Sequence, residues 1–220
     1  MGAIAGISGI TGGYLGSTPV NALYIGSSLV WANSTYTYDP ISGSSGAVIT
    51  IPIGPAKLSE DLVITVRGYV MSADFYERRH NNFDYFFEIN PAWSATFGVE
   101  RTSGNIRMGW FGGADVVKYN GLPTTSEQYI QWDLSKDGIY DKVSESWIVT
   151  GSNITATHDE GSFDVNTDNF QWNNLQIRDN NEVIFNGVGA IRDSDGQGGL
   201  WDTITKTFYT DPNHPIYQRQ

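Results

Sequence analysis

The sequence predicts an all-β protein, and three features support that fold class. Apolar residues recur at every second position in two long segments, residues 62–70 and 83–89. Such alternation turns one side of an extended strand toward a core. Turn sequences rich in Gly, Asn and Asp separate short segments of this kind, and no segment is convincing as a long helix. This combination is typical of an antiparallel β-sandwich.

The N-terminal third contains an internal repeat. Residues 1–13 are Gly, Ala and Ile with small polar spacers, which favours a flexible or partner-ordered leader. The segment Tyr14-Leu-Gly-Ser-Thr-Pro-Val20 then recurs ten residues later as Tyr24-Ile-Gly-Ser-Ser-Leu-Val30, followed by Trp31. Each copy joins an aromatic-aliphatic pair to a Gly-Ser turn, so we expect two small hairpins or one β-ribbon. Residues 34–46, rich in Ser, Gly, Thr and Tyr, are interpreted as a linker.

Strands are predicted from there to the C-terminus, in a domain spanning residues 47–220. Turn signals at 102–105, 136–138 and 179–181 separate several of them. Besides the two alternating segments, the predicted strands are Ser94 to Glu100, Ile106 to Phe111, Tyr129 to Asp133, Gly138 to Val143, Ser146 to Val149, Trp172 to Arg178 and Glu182 to Phe185.

A glycine-rich loop and two short strands close the domain. The loop runs from Asp193 to Gly199, and the strands are 200–202 and 207–209. Gly, Asp and Ser suit the loop because they accept positive φ or bond their own backbone. Trp, Phe, Tyr and Thr suit a half-buried pleated surface.

Composition excludes several classes of protein. The 220 residues are 40% hydrophobic and 17% charged, which predicts a folded chain with a substantial core. A formal net charge of −11 with 13 basic residues argues against binding to nucleic acid or to an anionic membrane surface. No cysteine is present, so disulfides and cysteine-based sites are excluded. No signal peptide or apolar stretch of about 18 residues indicates membrane insertion.

The closing segment resembles that of laminin-G-like, concanavalin-A-like domains in bacteriophage structural proteins. The resemblance implies a jelly-roll sandwich over about Val48 to Tyr209, preceded by a short N-terminal β-ribbon. It is closest over the last forty residues of that span. The matching positions are Ile191, Asp193, Gly196, Gly199, Leu200, Trp201, Asp202, Ile204, Phe208, Tyr209 and Thr210.

The N-terminal repeat is similar to short segments of phage tail and fibre proteins. That resemblance implies that residues 1–33 attach the chain to other virion proteins or oligomerise it, with a trimer as one candidate. The alternative is a hairpin packed on its own domain. A short ribbon is marginal alone and must bury its apolar side against something. The predicted docking residues are Tyr14, Leu15, Gly16, Val20, Tyr24, Ile25, Gly26, Val30 and Trp31.

The residue pattern gives little support for an enzyme. His80, His158 and His214 are far apart in sequence and lie in polar, turn-like surroundings. Glycosidases need two carboxylates about 5 to 9.5 Å apart. The best local pair, Asp84 and Glu88, is separated by roughly 13 Å on one strand. A pair across strands stays open, but we expect no catalytic residues.

Two kinds of binding site are raised as candidates. Asp193 and Asp195 begin a calcium-loop pattern whose remaining ligands are missing, so calcium competes there with a turn stabilised by Asx hydrogen bonds. Trp110, Tyr119 and Asn120 lie beside loops, where an aromatic face and an amide suit a sugar, although core packing explains aromatics as well. Arg78 and Arg79 form a basic cluster that suits an acidic partner or a solvated loop.

Three functions follow as hypotheses. The first is a virion protein, made in the host cytoplasm, whose sandwich binds a host-surface glycan or another surface ligand. The second is a purely structural capsid or tail decoration or adaptor protein. The third, with least support, is a glycan-cleaving enzyme, which predicts reducing ends released from host polysaccharide.

Overall fold

The structure is a computed structural model. It describes the backbone of residues 13–15, 18–20, 22–25, 28–32, 36–54, 61–72, 83–90, 95–100, 105–110, 117–119, 125–150 and 161–219. Side chains are described for 36–52, 61–72, 86–87, 125–148, 150 and 162–219. Within these ranges the chain has strands and turns but no helix, and therefore no helix able to span a membrane. The all-β prediction is confirmed.

Four short strands form two separate hairpins at the N-terminus: β1 (Gly13–Leu15) with β2 (Thr18–Val20), and β3 (Ala22–Ile25) with β4 (Ser28–Ala32). Leu15 pairs with Thr18 and Ile25 pairs with Ser28, so only a Gly and a Ser stand between the paired strands in the sequence of each copy. Of the two arrangements expected for the repeat, the structure has two hairpins rather than one continuous ribbon.

The other strands build two antiparallel sheets. The smaller sheet comprises β7 (Val48–Gly54), β9 (Phe83–Asn90), β10 (Ala95–Glu100), β11 (Asn105–Trp110), β12 (Val117–Tyr119) and β16 (Gly161–Asn166). The larger comprises β5 (Tyr36–Tyr38), β6 (Ile41–Gly43), β8 (Val63–Val70), β13 (Gln128–Ser135), β14 (Gly138–Asp141), β15 (Ser146–Thr150), β17 (Phe170–Asp179), β18 (Glu182–Arg192), β19 (Gly198–Asp202), β20 (Thr207–Tyr209) and β21 (Ile216–Gln218). The smaller sheet has the order β12-β11-β10-β9-β16-β7, and the main path of the larger is β15-β14-β13-β8-β17-β18-β19-β20.

The core lies between these sheets. Phe86 of the smaller sheet contacts Phe170 of the larger one, with ring centroids 5.0 Å apart. The Trp172 indole donates to the backbone oxygen of Asn166, a second link between the sheets. The largest fully buried side chains come from both sheets: Trp132, Trp172, Phe86, Phe87, Phe163 and Phe170. This is the two-sheet arrangement of a β-sandwich; its jelly-roll connectivity stays a prediction.

The predicted alternation holds in β8 and needs a correction in β9. Ile64, Val66 and Val70 are all fully buried, as the period of two predicts. Thr65, on the opposite side, is also only 3% exposed, because its hydroxyl is covered in a hydrogen bond to Asp133. In β9, however, adjacent Phe86 and Phe87 are 0% and 2% exposed. The pairing of β9 with β10 skips Phe86, and a β-bulge of this kind re-aims a side chain that strict alternation would turn outward.

The segment interpreted as a linker is part of the larger sheet. Within it, β5 pairs with the end of β18, and β6 pairs with β21 and with Trp172 of β17. Ile41 of β6 is fully buried. The Ser- and Gly-rich composition indicated a linker, but the backbone groups of β5 and β6 are bonded to distant strands, which local composition does not reveal.

Turn chemistry explains the hairpin at the centre of the larger sheet. Asp179 pairs with Glu182, and the loop residues Asn180 and Asn181 have φ of 48° and 65°. Positive φ at both positions is a type I′ turn, whose twist matches the flanking strands and which favours Asn. The predicted turn is confirmed, but β18 continues to Arg192, well beyond the predicted end at Phe185. Four further strands, β7, β12, β16 and β21, were not predicted.

Candidate ligand-binding face

The larger sheet turns a row of polar side chains away from the core. Arg67 lies between the buried residues Val66 and Gly68, so its side chain leaves the opposite side of β8. Gln131 of β13 and Asn174 of β17 flank Arg67 in register. Around this row lie further outward side chains of the same strands and of β18. We call this surface the amide face and define it by Arg67, Gln131, Gln171, Asn174, Gln176 and Asn186.

Amide side chains bond one another along this face. Asn174 and Gln176 both donate to Asn186 Oδ1, at 3.2 and 3.3 Å. Asn174 also donates to the backbone oxygen of Gly187 at 2.8 Å, and Asn186 Nδ2 donates to Thr203 Oγ1 at 2.7 Å. These contacts hold the amide groups in defined orientations, which is the preorganisation that a polar binding surface needs.

Arg67 is the cation at the centre of the amide face. Gln131 Oε1 accepts from Arg67 Nη2 at 3.1 Å and from Nε at 3.3 Å when its amide takes the orientation that satisfies both groups. Among the described residues, no carboxylate lies within ion-pair distance of this guanidinium. Asp133, on the neighbouring row, is bonded by Thr65 at 2.6 Å and Lys142 at 3.2 Å.

Aromatic rings border the face on two sides. Near Arg67, Tyr69 and Tyr129 pack edge to face at 5.2 Å, and Tyr129 is 42% exposed. At the β19 side, Trp201 stacks on Tyr36 with centroids 4.5 Å apart. Trp201 is three strands from Arg67 in the sheet, or about 14 Å. Arg219 stacks on Tyr69 at 3.5 Å from the ring centroid, so Tyr129 is the exposed ring beside Arg67. An exposed ring beside amide groups suits a polar ligand that also has an apolar face.

A separate cleft of about 70 Å³ opens between the two sheets. Its lining is largely apolar, and its carboxylate, Asp202, is bonded by the chain's own donors. The cleft therefore offers few polar groups to a ligand. The lining includes Ile51, Phe163, Ile177, Phe185 and Tyr209.

Of the ligand residues expected from the sequence, the structure describes the backbone of Trp110 and Tyr119. Trp110 ends β11 opposite Ala95, whereas Tyr119 ends β12 opposite Ile106. Ile106 and Trp110 are four residues apart on β11, so the two backbones are separated by about 13 Å along the strand. Arg78, Arg79 and Asn120 lie outside the described residues.

The predicted docking residues lie in the two N-terminal hairpins. β1 and β2 contain Tyr14, Leu15 and Val20, and β3 and β4 contain the corresponding residues of the second copy, Tyr24, Ile25, Val30 and Trp31. Gly16 and Gly26 lie outside the described residues. The sequence repeat is thus a structural repeat, while docking itself stays a prediction.

The candidate calcium loop is held by an arginine. Asp195 receives a two-point contact from Arg192 and a hydrogen bond from the backbone of Gln197, while Asp193 accepts from Thr37. The Arg192 hydrogen bond is the main cause that lowers the pKa of Asp195. An arginine already neutralises this carboxylate, so the loop favours an Asx turn over a cation site. No group of three metal-ligating side chains occurs among the described residues.

Two buried carboxylates organise turns near the end of the chain. Asp202 is 1% exposed and binds the turn that follows it. Burial raises its pKa, but hydrogen bonds from Thr205, Ile204 and Asn186 outweigh burial and leave the pKa below the usual value. Asp211 is 6% exposed, and its pKa is lowered in the same way, by Val48 and by its own turn.

The amide face carries a weaker local signal in the sequence than the aromatic residues beside loops. The signal was present in the outward half of the period-two pattern, where Gln131, Gln171 and Gln176 occupy strand positions that alternate with buried residues. What the sequence did not reveal is that β13, β8, β17 and β18 are neighbours, which places these amides side by side. No protein-family model matches this chain, and no curated protein matches it significantly.

Proposed function

We propose that this protein is a phage virion component whose sandwich is displayed outward and binds a host-surface glycan through the amide face. The observation that carries the binding role is the face of oriented amide groups bordered by the exposed ring of Tyr129 and the half-buried ring of Trp201. The virion role is supported by the resemblance of the closing segment and the N-terminal repeat to phage structural proteins.

The chemistry of the face suits a saccharide. Sugar hydroxyls both donate and accept hydrogen bonds, as Asn and Gln side chains do, so one amide can satisfy two neighbouring hydroxyls. The apolar side of a sugar ring packs on an aromatic ring such as Tyr129, which is 42% exposed. A site on the surface of a sheet binds weakly per copy. Many copies on one particle gain orders of magnitude in apparent affinity through avidity.

The N-terminal hairpins are proposed as the attachment element. Two-stranded hairpins are marginally stable alone, so partners on the virion or other copies of this chain would stabilise them. Immunogold labelling of intact phage with an antibody against the sandwich tests display. Label at the tail tip or on fibres supports a glycan-binding role, whereas particles without label contradict the virion proposal.

Glycan binding is tested with the full chain on an array of host-surface glycans. Replacement of Gln176 by Val removes one amide from the face and is expected to weaken binding about tenfold, or about 1.4 kcal/mol. Thr50→Val, at an exposed position of the smaller sheet, is the matched control and should bind like wild type. No binding to any glycan or host cell would contradict this role.

A purely structural decoration or adaptor role is the second candidate. It is favoured by the hydrogen bonds among Asn174, Gln176 and Asn186, which satisfy much of the amide face internally. On this alternative, deletion of residues 1–31 abolishes assembly onto the particle, whereas substitutions on the amide face leave assembly and infectivity unchanged. Loss of adsorption with normal assembly would instead favour glycan binding.

A further inference from the structure

We propose that Arg67 recognises a carboxylate, so that the ligand of the amide face is an acidic saccharide containing a uronic or sialic acid. This inference rests on the proposed glycan-binding function and specifies the class of sugar. It follows from the position of Arg67 at the centre of the face and from the contacts that its guanidinium makes.

One edge of the Arg67 guanidinium is available to a ligand. With the Gln131 amide in the orientation that satisfies both groups, Nε and Nη2 of Arg67 donate to Gln131 Oε1, a neutral acceptor that orients the planar group without neutralising it. The described residues provide no hydrogen bond to Nη1. Arginine presents its donors as a rigid fork, and a carboxylate is the group whose two oxygens match that geometry.

Among the described residues, no carboxylate forms an ion pair with Arg67. The chain has 24 acidic and 13 basic residues, so a carboxylate partner for an arginine is easily found. Yet Asp133, one row away, has both oxygens engaged by Thr65 and Lys142. A half-buried arginine that binds only an amide, in a protein with a net charge of −11, indicates an anionic partner supplied from outside.

Two neighbouring groups extend the site on the side of Tyr69. Gln171 pairs in register with Tyr69, and its Oε1 is buried with no hydrogen-bond partner. A buried acceptor without a partner is unfavourable, so the amide of Gln171 gains a hydrogen bond if it rotates toward a sugar hydroxyl at the surface. Tyr69 is two residues along β8 from Arg67, or about 7 Å. A sugar whose carboxylate binds Arg67 can therefore direct hydroxyls to Gln171 and its ring toward Tyr129.

The test uses the full chain and pairs of ligands. An array presents oligosaccharides that contain glucuronic, galacturonic, mannuronic or sialic acid, each beside a twin whose carboxyl group is reduced to an alcohol. Neutral host-type glycans are included. Dissociation constants are measured for wild type, Arg67→Gln and Arg67→Lys. Lys136→Gln removes the same charge from a turn at the edge of the sheet and is the matched control.

Wild type is expected to bind at least one acidic oligosaccharide about 10- to 100-fold more tightly than its reduced twin, as loss of a charge-assisted pair implies. Arg67→Gln should lose that preference, Arg67→Lys should keep part of it, and Lys136→Gln should retain it. Thermal unfolding checks that each variant is folded, and the reduced twins test the inference on wild type alone.

The contrary outcomes distinguish failure of the acidic-sugar inference from failure of the proposed glycan-binding function. Equal binding of acidic and reduced twins, or binding of neutral glycans only, overturns the acidic-sugar inference while leaving glycan binding intact. Unchanged preference in folded Arg67→Gln overturns the assignment to Arg67. Absence of binding to every acidic, reduced and neutral glycan overturns both the inference and the proposed glycan-binding function.

Discussion

Replacement of Asp202 by Asn should destabilise the fold by about 3 kcal/mol. The carboxylate accepts four hydrogen bonds. Oδ1 receives the backbone N–H groups of Asn186 and Ile204, both at 3.1 Å. Oδ2 receives the backbone N–H of Thr205 at 3.2 Å and its hydroxyl at 2.6 Å. Asp202 thus fastens the turn between β19 and β20 to β18.

The expected loss of stability follows from which hydrogen bonds the Asn side chain keeps and which it loses. Asn retains one oxygen, so two of the hydrogen bonds persist but become neutral, at a loss of about 1 kcal/mol each. The NH₂ group that replaces Oδ2 faces the backbone N–H of Thr205, a donor against a donor, which costs about 1 to 2 kcal/mol. Water reaches this exposed turn and offsets part of the loss.

At low pH, wild type and Asp202→Asn should become equally stable. The pKa of Asp202 in the folded protein lies below the ordinary value of about 3.9. A lowered folded pKa contributes stability that is fully present above the unfolded value and is lost as pH falls through the folded value. The wild-type advantage over Asn is therefore expected to be constant from pH 7 to 5 and to shrink below about pH 4.

Urea unfolding at several pH values measures both effects, and Asp137→Asn serves as control. Asp137 lies in an exposed turn, so the same loss of charge there should change stability by less than about 0.5 kcal/mol. At pH 7, about 3 kcal/mol corresponds to a fall in Tm of about 6 to 12 °C for a chain of this size. A loss at Asp202 no larger than that at Asp137 would refute the assigned role of this carboxylate.

Other substitutions test separate parts of the fold by the same measurement. Asp211→Asn should cost about 2 kcal/mol at pH 7 and less below about pH 4, since the folded pKa is lowered there too; equal losses at both pH values would contradict this. Gly68→Ala should cost about 3 kcal/mol or more because its Cβ would lie 2.0 Å from a backbone oxygen. Gly196→Ala should cost only about 1 kcal/mol, because the added Cβ meets open space and only the φ of +73° is unfavourable. A larger loss of stability in Gly196→Ala than in Gly68→Ala would refute the steric argument. Ile41→Ala should cost about 2 to 5 kcal/mol if residues 36–43 belong to the sheet, whereas a linker residue would cost almost nothing. Added calcium should leave the Tm of wild type unchanged, whereas a rise in Tm would support a calcium site at residues 193–195.

The features of the fold that the sequence predicted are those encoded by neighbouring residues. Alternation in β8 and the Asn180-Asn181 turn depend on side-chain period and backbone preference, and both are confirmed. β6 carries no comparable local signal, since its small polar residues are typical of loops. Its strand character comes from pairing with β21, about 175 residues later in the chain.

The candidate site depends even more on distant contacts. Gln131, Arg67 and Asn174 are far apart in sequence and become neighbours only because β13, β8 and β17 are adjacent. Before that order is known, each is an ordinary polar residue on the solvent side of a strand. The aromatic candidate Trp110 had a stronger local signal, yet its strand belongs to the other sheet.

By itself, the sequence determined the strand class, most of the turns and the repeat at the N-terminus, because these follow from periodicity and backbone propensity over a few residues. Tertiary structure alone decided which strands are neighbours and where Asp202 and Asp211, the buried carboxylates of the described residues, find their donors. It also decided that Arg67 lies beside an amide rather than a carboxylate. Those outcomes depend on the register between strands, and register joins residues whose separation in the chain can exceed a hundred positions.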